Sequence, residues 1–169
     1  LRDSLVAAGV RVMLDDRDAY TPGWKFSEWE LRGVPLRLEI GPKDIEKQQV
    51  MLARRDTREK LPTPVAGLTG RVQELLVEIQ KNLFDRALAF QQDHTGRATS
   101  WDEFTQIMEG RPGFVVSPWC GDAVCEADIK AATQATIRNL PMDAEVSSGA
   151  PCVKCGRPSV ADAWFAKAY

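Results

Sequence analysis

Apolar residues recur along this chain with two periods, and the changes from one period to the other divide it into elements. Leu1, Leu5 and Val6 followed by Gly9 read as the last turns of an amphipathic helix closed by a glycine. The run VRVML at 10–14 is a short strand candidate, and LDDRDAYTPG after it is turn chemistry. Thr21 is placed as N-cap with Pro22 at the first helical position, opening a helix through Phe26, Trp29 and Glu30 that Gly33 ends. PLRLEIG (35–41) alternates, with Leu36, Leu38 and Ile40 on one face and Arg37 and Glu39 on the other. QVMLARR (49–55) is a further strand, and LPTPVAG (61–67) reads as a linker.

Leu68, Val72, Leu75, Leu76, Ile79, Leu83 and Leu88 then mark one long amphipathic helix to about His94. Ser100 and Glu103 form a capping box for a helix carrying Phe104, Ile107 and Met108. GFVVSPWC reads as a strand, 125–140 as a helix, PMDAEVSSGAP as a loop and DAWFAKAY as a strand-like tail. Strands alternating with helices favour an α/β layer with a mostly parallel sheet. The predicted division is 1–66, a connecting helix over 67–98, and 99–169.

Composition changes this picture little. With 169 residues, 44% of them hydrophobic, the chain can build one medium core or two small ones. A net charge of −2 leaves no footprint of a non-specific nucleic-acid binder, so any RNA must be read by local chemistry. No apolar run approaches 18 residues, so no membrane span is expected. The start lacks Met and any capping residue before its apolar positions, and predicts a C-terminal fragment cut inside an element. Cysteine usage points to a reducing compartment, and the expected location is cytoplasmic.

The four cysteines follow C-x4-C-x26-C-x2-C, as Cys120, Cys125, Cys152 and Cys155. Two close pairs separated by a foldable segment suit a tetrahedral Zn²⁺ site, each pair forming one knuckle. Gly121 and Gly156 follow a cysteine directly, where backbone N–H groups can turn toward sulfur. Two disulfides, or four inert thiols, remain open on spacing alone, and a redox CxxC fits Pro151 and GRPS less well. Four thiolates leave no open position, so such a centre is structural. His94, the single histidine, reads as a solvated or capping residue.

LDDRDAYTPGWKFSEWELRGVPLRLEIGPKDIEKQQVMLARRDTREK resembles the anticodon-binding domain of prolyl-tRNA synthetases of the archaeal and eukaryote-like type, which also occurs in some bacteria. The resemblance continues through ALAFQQDHT, ATQATIRNLP, both cysteine pairs and the terminal FAKAY, and so covers the chain. It implies a class II ligase that activates proline with ATP and Mg²⁺ and charges tRNA-Pro, as a homodimer. It also implies an anticodon-binding α/β domain with a mixed, mostly parallel sheet, its first strand missing from this sequence, followed by a small α/β zinc-binding domain. The catalytic domain has no counterpart here: no G-x-G occurs, and Arg37-Leu38-Glu39 matches a class II Arg-x-Glu core only by chance. The expected result for this polypeptide is no ATP–pyrophosphate exchange. A stand-alone RNA- or protein-binding regulator reusing the anticodon fold is the competing reading, and a zinc-stabilised scaffold without RNA contact is a third.

Proline codons begin CC, so two anticodon bases are guanine. Arg or Lys suits the O6/N7 edge of an unstacked guanine, and a carboxylate suits its N1–H/N2–H₂ edge. Matched to the family's anticodon contacts, the residues are Glu30, Arg37, Lys43, Asp44 and, across a one-residue gap, Arg58. Ordinary surface ion pairs are the competing account. Trp24, Trp29 and Trp164 are assigned to core or interface rather than to base stacking. The family also implies that the carboxylate of the terminal Tyr169 approaches the active site.

Overall fold

Residues 1–110, 113–142 and 150–168 are described by the computed structural model, and they divide into two units, Leu1–Ala87 and Leu88–Tyr169. The first unit opens with α1 (Arg2–Ala7) and α2 (Pro22–Leu31). Thr21 caps α2 by accepting the Trp24 N–H at 3.4 Å, and Gly33, at φ +85°, turns the chain out of it. Then follow β1 (Leu36–Glu39), α3 (Pro42–Glu46), β2 (Gln49–Arg54), β3 (Lys60–Pro64) and α4 (Leu68–Asp93). Leu68, Val72, Leu75 and Ile79, spaced four, three and four apart, bury one face of α4. They meet Leu36, Val50 and Leu52 of the sheet and Leu5 of α1 in one core.

The sheet order is β1-β2-β3, antiparallel throughout, which corrects the expectation of mostly parallel pairing. Residues 40–48 join β1 to β2 and 55–59 join β2 to β3. Both are shorter than the dozen or so residues a parallel crossover needs. The stretch 61–67 is likewise no linker from end to end, since Lys60–Pro64 is β3. The prolines are tolerated because β3 is an edge strand, with Pro62 and Pro64 exposed while Leu61 and Thr63 turn inward.

VRVML is not a strand either. Val10 and Val12 pack against the core, but no strand lies beside them among the described residues. The following polar stretch is fastened to α2 instead. Asp15 takes the Arg17 Nε–H at 2.8 Å and the Trp29 indole N–H at 2.8 Å, and Arg17 pairs with Glu28 at 2.6 Å. Ile40 lies beyond the end of β1 and is exposed rather than inward.

In the second unit the elements are β4 (Thr95–Arg97), α5 (Trp101–Glu109), β5 (Phe114–Trp119), α6 (Ala123–Thr133), β6 (Ala135–Asn139) and β7 (Ala161–Lys167). Their sheet order is β4-β5-β7-β6, mixed, with β4 and β5 parallel across the α5 crossover. Ser100 and Glu103 form the expected box on α5, Ser100 Oγ accepting the Glu103 N–H at 3.3 Å. The segment 125–140 is not one helix. Gln134, at φ +63°, ends α6 in the left-handed region, and the β-branched residues after it enter the sheet. Phe104 and Phe165 meet edge to face at 5.2 Å in a core that includes Cys125, Ile129 and Cys152. Part of the predicted loop, 143–149, lies outside the described residues, as does Tyr169.

Candidate nucleic-acid interface and metal centre

Three of the five residues proposed to contact an anticodon converge. Glu30 comes from the last turn of α2, Arg37 from the polar face of β1, and Arg58 from the β2–β3 turn. Glu30 accepts Arg37 Nη1 on one carboxylate oxygen at 2.9 Å and Arg58 Nη1 on the other at 2.7 Å. The Arg37 hydrogen bond above all, with the charge of both arginines, holds the Glu30 carboxyl below its ordinary range. Arg37 is fixed further by Glu39, which accepts its Nε–H at 3.0 Å and lies 2.9 Å from Nη2. Its guanidinium also lies 4.0 Å from the Phe26 ring centroid. Lys60 closes the group by pairing with Glu39 at 3.0 Å.

Lys43 and Asp44 form a second group on α3. Asp44 accepts the Gly41 N–H at 2.9 Å, the carboxylate half of a capping box, and Gln49 Nε2 at 3.0 Å. Gln49 first, then the Gly41 amide, holds the Asp44 carboxyl below its ordinary range. Asp44 also lines a cleft of about 680 Å³ with Ile40, Ile45, Lys47 and Gln49. Lys43 is exposed and makes no ion pair among the described residues. The two groups share no hydrogen bond among the described residues.

Phe26, Glu39, Lys60 and Gln49 belong with these residues and were missed in the sequence. Glu39 had a usable signal, since alternation already puts it beside Arg37 on one face. Trp29 and Trp164 are engaged within the fold, by Asp15 and by Phe114. Trp24 is half exposed and stacks on Tyr20 at 4.0 Å.

The cysteine sulfurs all lie within 4.8 Å of one another, and none is in a disulfide. The close approaches run between the knuckles: Cys125 to Cys152 at 3.7 Å and Cys120 to Cys155 at 3.6 Å. Zinc–thiolate bonds of about 2.3 Å put tetrahedral sulfurs about 3.8 Å apart, so the donor set fits one ion of that size. The knuckles are built alike. Gly121 and Gly156 take φ of +81° and +73°, and the next backbone N–H, from Asp122 or Arg157, bonds the preceding sulfur. Burial pushes the Cys125 and Cys120 thiols up, whereas hydrogen bonds from Arg157 bring Cys155 down to about 6. His94 is not among the clustered ligand groups: its Nδ1 lies 2.7 Å from the Phe90 carbonyl and its ring stacks on Phe90.

Two family models match the chain: an anticodon binding domain over residues 1–81 and the C-terminal domain of prolyl-tRNA synthetase over 101–169. A proline–tRNA ligase 2 of Clostridioides difficile is 49% identical over 98% of the chain and 34% of its own length. Proline–tRNA ligases of Natranaerobius thermophilus and Chloroflexus aurantiacus are 47% and 48% identical over 94% and 95% of the chain, in each case 33% of their own length. The chain thus spans about a third of the curated relatives it matches. No helix among the described residues is long and apolar enough to cross a membrane. With these two domains in order and ligases of one kind as its relatives, the chain belongs to the prolyl-tRNA synthetase family, of which it carries the anticodon-binding and C-terminal domains.

Proposed function

We propose that this chain reads the anticodon of tRNA-Pro on behalf of a class II proline–tRNA ligase, with Glu30, Arg37, Lys43, Asp44 and Arg58 as the contact residues. The observation that carries the reading is the commitment of Arg37. Of the five N–H groups on a guanidinium, its Nε and Nη2 face Glu39 and its Nη1 faces Glu30. One N–H remains on each terminal nitrogen, the number that the O6 and N7 of a guanine take. Asp44, with lone pairs to spare after Gly41 and Gln49, suits the N1–H and N2–H₂ edge of a second guanine. A pocket of mixed sign accords with the near-neutral charge of the chain, and stacking or shape rather than a basic surface completes single-strand recognition.

Cys120, Cys125, Cys152 and Cys155 would hold a structural zinc ion. When bound, the ion supplies a cross-link between two knuckles and, having four thiolates, no open position for a reaction. Proline, ATP and Mg²⁺ are the substrates and cofactor of the ligase this region serves, a cytoplasmic homodimer. ATP–pyrophosphate exchange by this polypeptide alone is expected at background. The alternative of a stand-alone regulatory module draws no support from the relatives. The deciding measurement is binding of tRNA-Pro against the same tRNA with both anticodon guanines replaced, at fixed salt. Equal affinity for the two RNAs would remove the assignment.

A further inference from the structure

A divalent ion held by four thiolates leaves an excess of negative charge, and the second shell decides how that excess is carried. The inner pair, Cys125 and Cys152, is buried in the apolar core of the second unit. The outer pair is not: Cys155 is exposed and Cys120 half-buried. One side chain lies against both outer sulfurs. Arg157 places Nε 3.4 Å from Cys155 Sγ and Nη2 3.7 Å from Cys120 Sγ. The same Nη2 donates to the Asp122 carboxylate, and Asp122 is itself fixed as N-cap of α6 by the Val124 N–H at 2.8 Å. The Arg157 side chain is 56% exposed, so its place over the sulfurs depends on these partners rather than on packing.

We propose that Arg157 is a positioning residue of the tetrathiolate centre. Its guanidinium bonds one sulfur from each knuckle, offsets the excess charge and covers the exposed Cys155, while Asp122 holds it there. The inference rests on the metal reading above, and it assigns a role to two residues outside the cysteine pattern. An arginine that only made a surface ion pair with Asp122 would leave the metal indifferent to its removal. An arginine beside the thiolates relieves the repulsion among their charges, which strengthens metal retention, and its hydrogen bonds draw electron density from the sulfurs, which weakens their attack on electrophiles.

The test compares the zinc-loaded chain with Arg157→Met, Arg157→Lys and Asp122→Asn. Zinc transfer to excess chromophoric chelator gives affinity and release rate. Cobalt(II) substitution gives the thiolate-to-metal charge-transfer band, and iodoacetamide labelling with mass mapping gives the reactivity of Cys155. Arg157→Met is expected to weaken zinc binding about 10–100-fold, move the cobalt band to lower energy and speed Cys155 alkylation. Arg157→Lys should recover part of each change. Asp122→Asn, which keeps the helix cap, should move all three the same way by less, and it serves as the test if Arg157→Met does not fold. Zinc retention within twofold of wild type together with an unmoved cobalt band, in Arg157→Met or in its stand-in, overturns the proposal. A folded wild-type chain that takes up no zinc overturns the metal centre itself, a result distinct from the first.

Discussion

Arg37→Lys separates base reading from simple charge. The substitution keeps the positive charge but exchanges a planar five-donor fork for three donors on one nitrogen. In the native network Glu39 takes two of the arginine's nitrogens and Glu30 the third. A lysine that kept one bond to each carboxylate would have a single donor left, too few for the two acceptors of a guanine edge. It would also lose the guanidinium contact with the Phe26 ring, now at 4.0 Å from the centroid. A bidentate arginine–guanine pair discriminates by about 1–3 kcal/mol, equivalent to about 5–150-fold in affinity. The assay is fluorescence anisotropy of labelled tRNA-Pro, with each anticodon guanine replaced in turn by 7-deazaguanine, over a salt series. Wild type should lose affinity at one of the two positions, whereas Arg37→Lys should bind guanine and 7-deazaguanine alike there. The salt slope should be the same for both proteins, because the charge is unchanged. If Arg37→Lys binds like wild type and keeps its preference, Arg37 does not read a base edge.

Stripping metal with a strong chelator is expected to lower the melting transition of the Leu88–Tyr169 unit and leave that of Leu1–Ala87 in place; calorimetry showing both unmoved would dismiss a structural ion. Gly156→Ala should cost about 1–2 kcal/mol for its left-handed backbone alone. Gly121→Ala should cost more, since its Cβ would also stand 2.9 Å from Val160 Cγ2; equal melting points for the two variants would argue against that difference. Asp56, with a side chain only 1% exposed, accepts both Arg54 and Asn82, and the Arg54 hydrogen bond chiefly holds its carboxyl well below the usual range. A depressed carboxyl stabilises the fold above its ordinary pKa, and that contribution disappears as pH falls through the folded value. Asp56→Asn should therefore cost about 3 kcal/mol at pH 7 and progressively less in acid, as urea titrations at several pH values would show.

The periodic elements were legible because one local signal sufficed for each. The α4 stripe, the Thr21 and Ser100 caps and the alternation of β1 need no knowledge of what lies across from them. Elements that depend on a neighbour were misread. Pro62 and Pro64 look like a linker until β2 is seen to leave them on an edge, and VRVML looks like a strand although nothing pairs with it. The 135–139 strand hid behind a helical period that only the left-handed Gln134 interrupts. Among functional residues, spacing grouped the cysteines, and their sulfurs do cluster. Arg157 carried no such signal, because its closeness to Cys120 and Asp122 appears only when residues 35 and more positions apart fold together.

The two prolines of β3 also bear on how the molecule keeps apart from copies of itself. An open sheet edge is a template on which another chain can lay a strand, the first step toward aggregation. Pro62 and Pro64 lie two apart, so both missing donors fall on the same side of β3, the side turned away from β2. A strand arriving there would find bare ring methylenes where it needs hydrogen-bond donors. The feature that disguises this segment as a linker is therefore also its guard against self-templating.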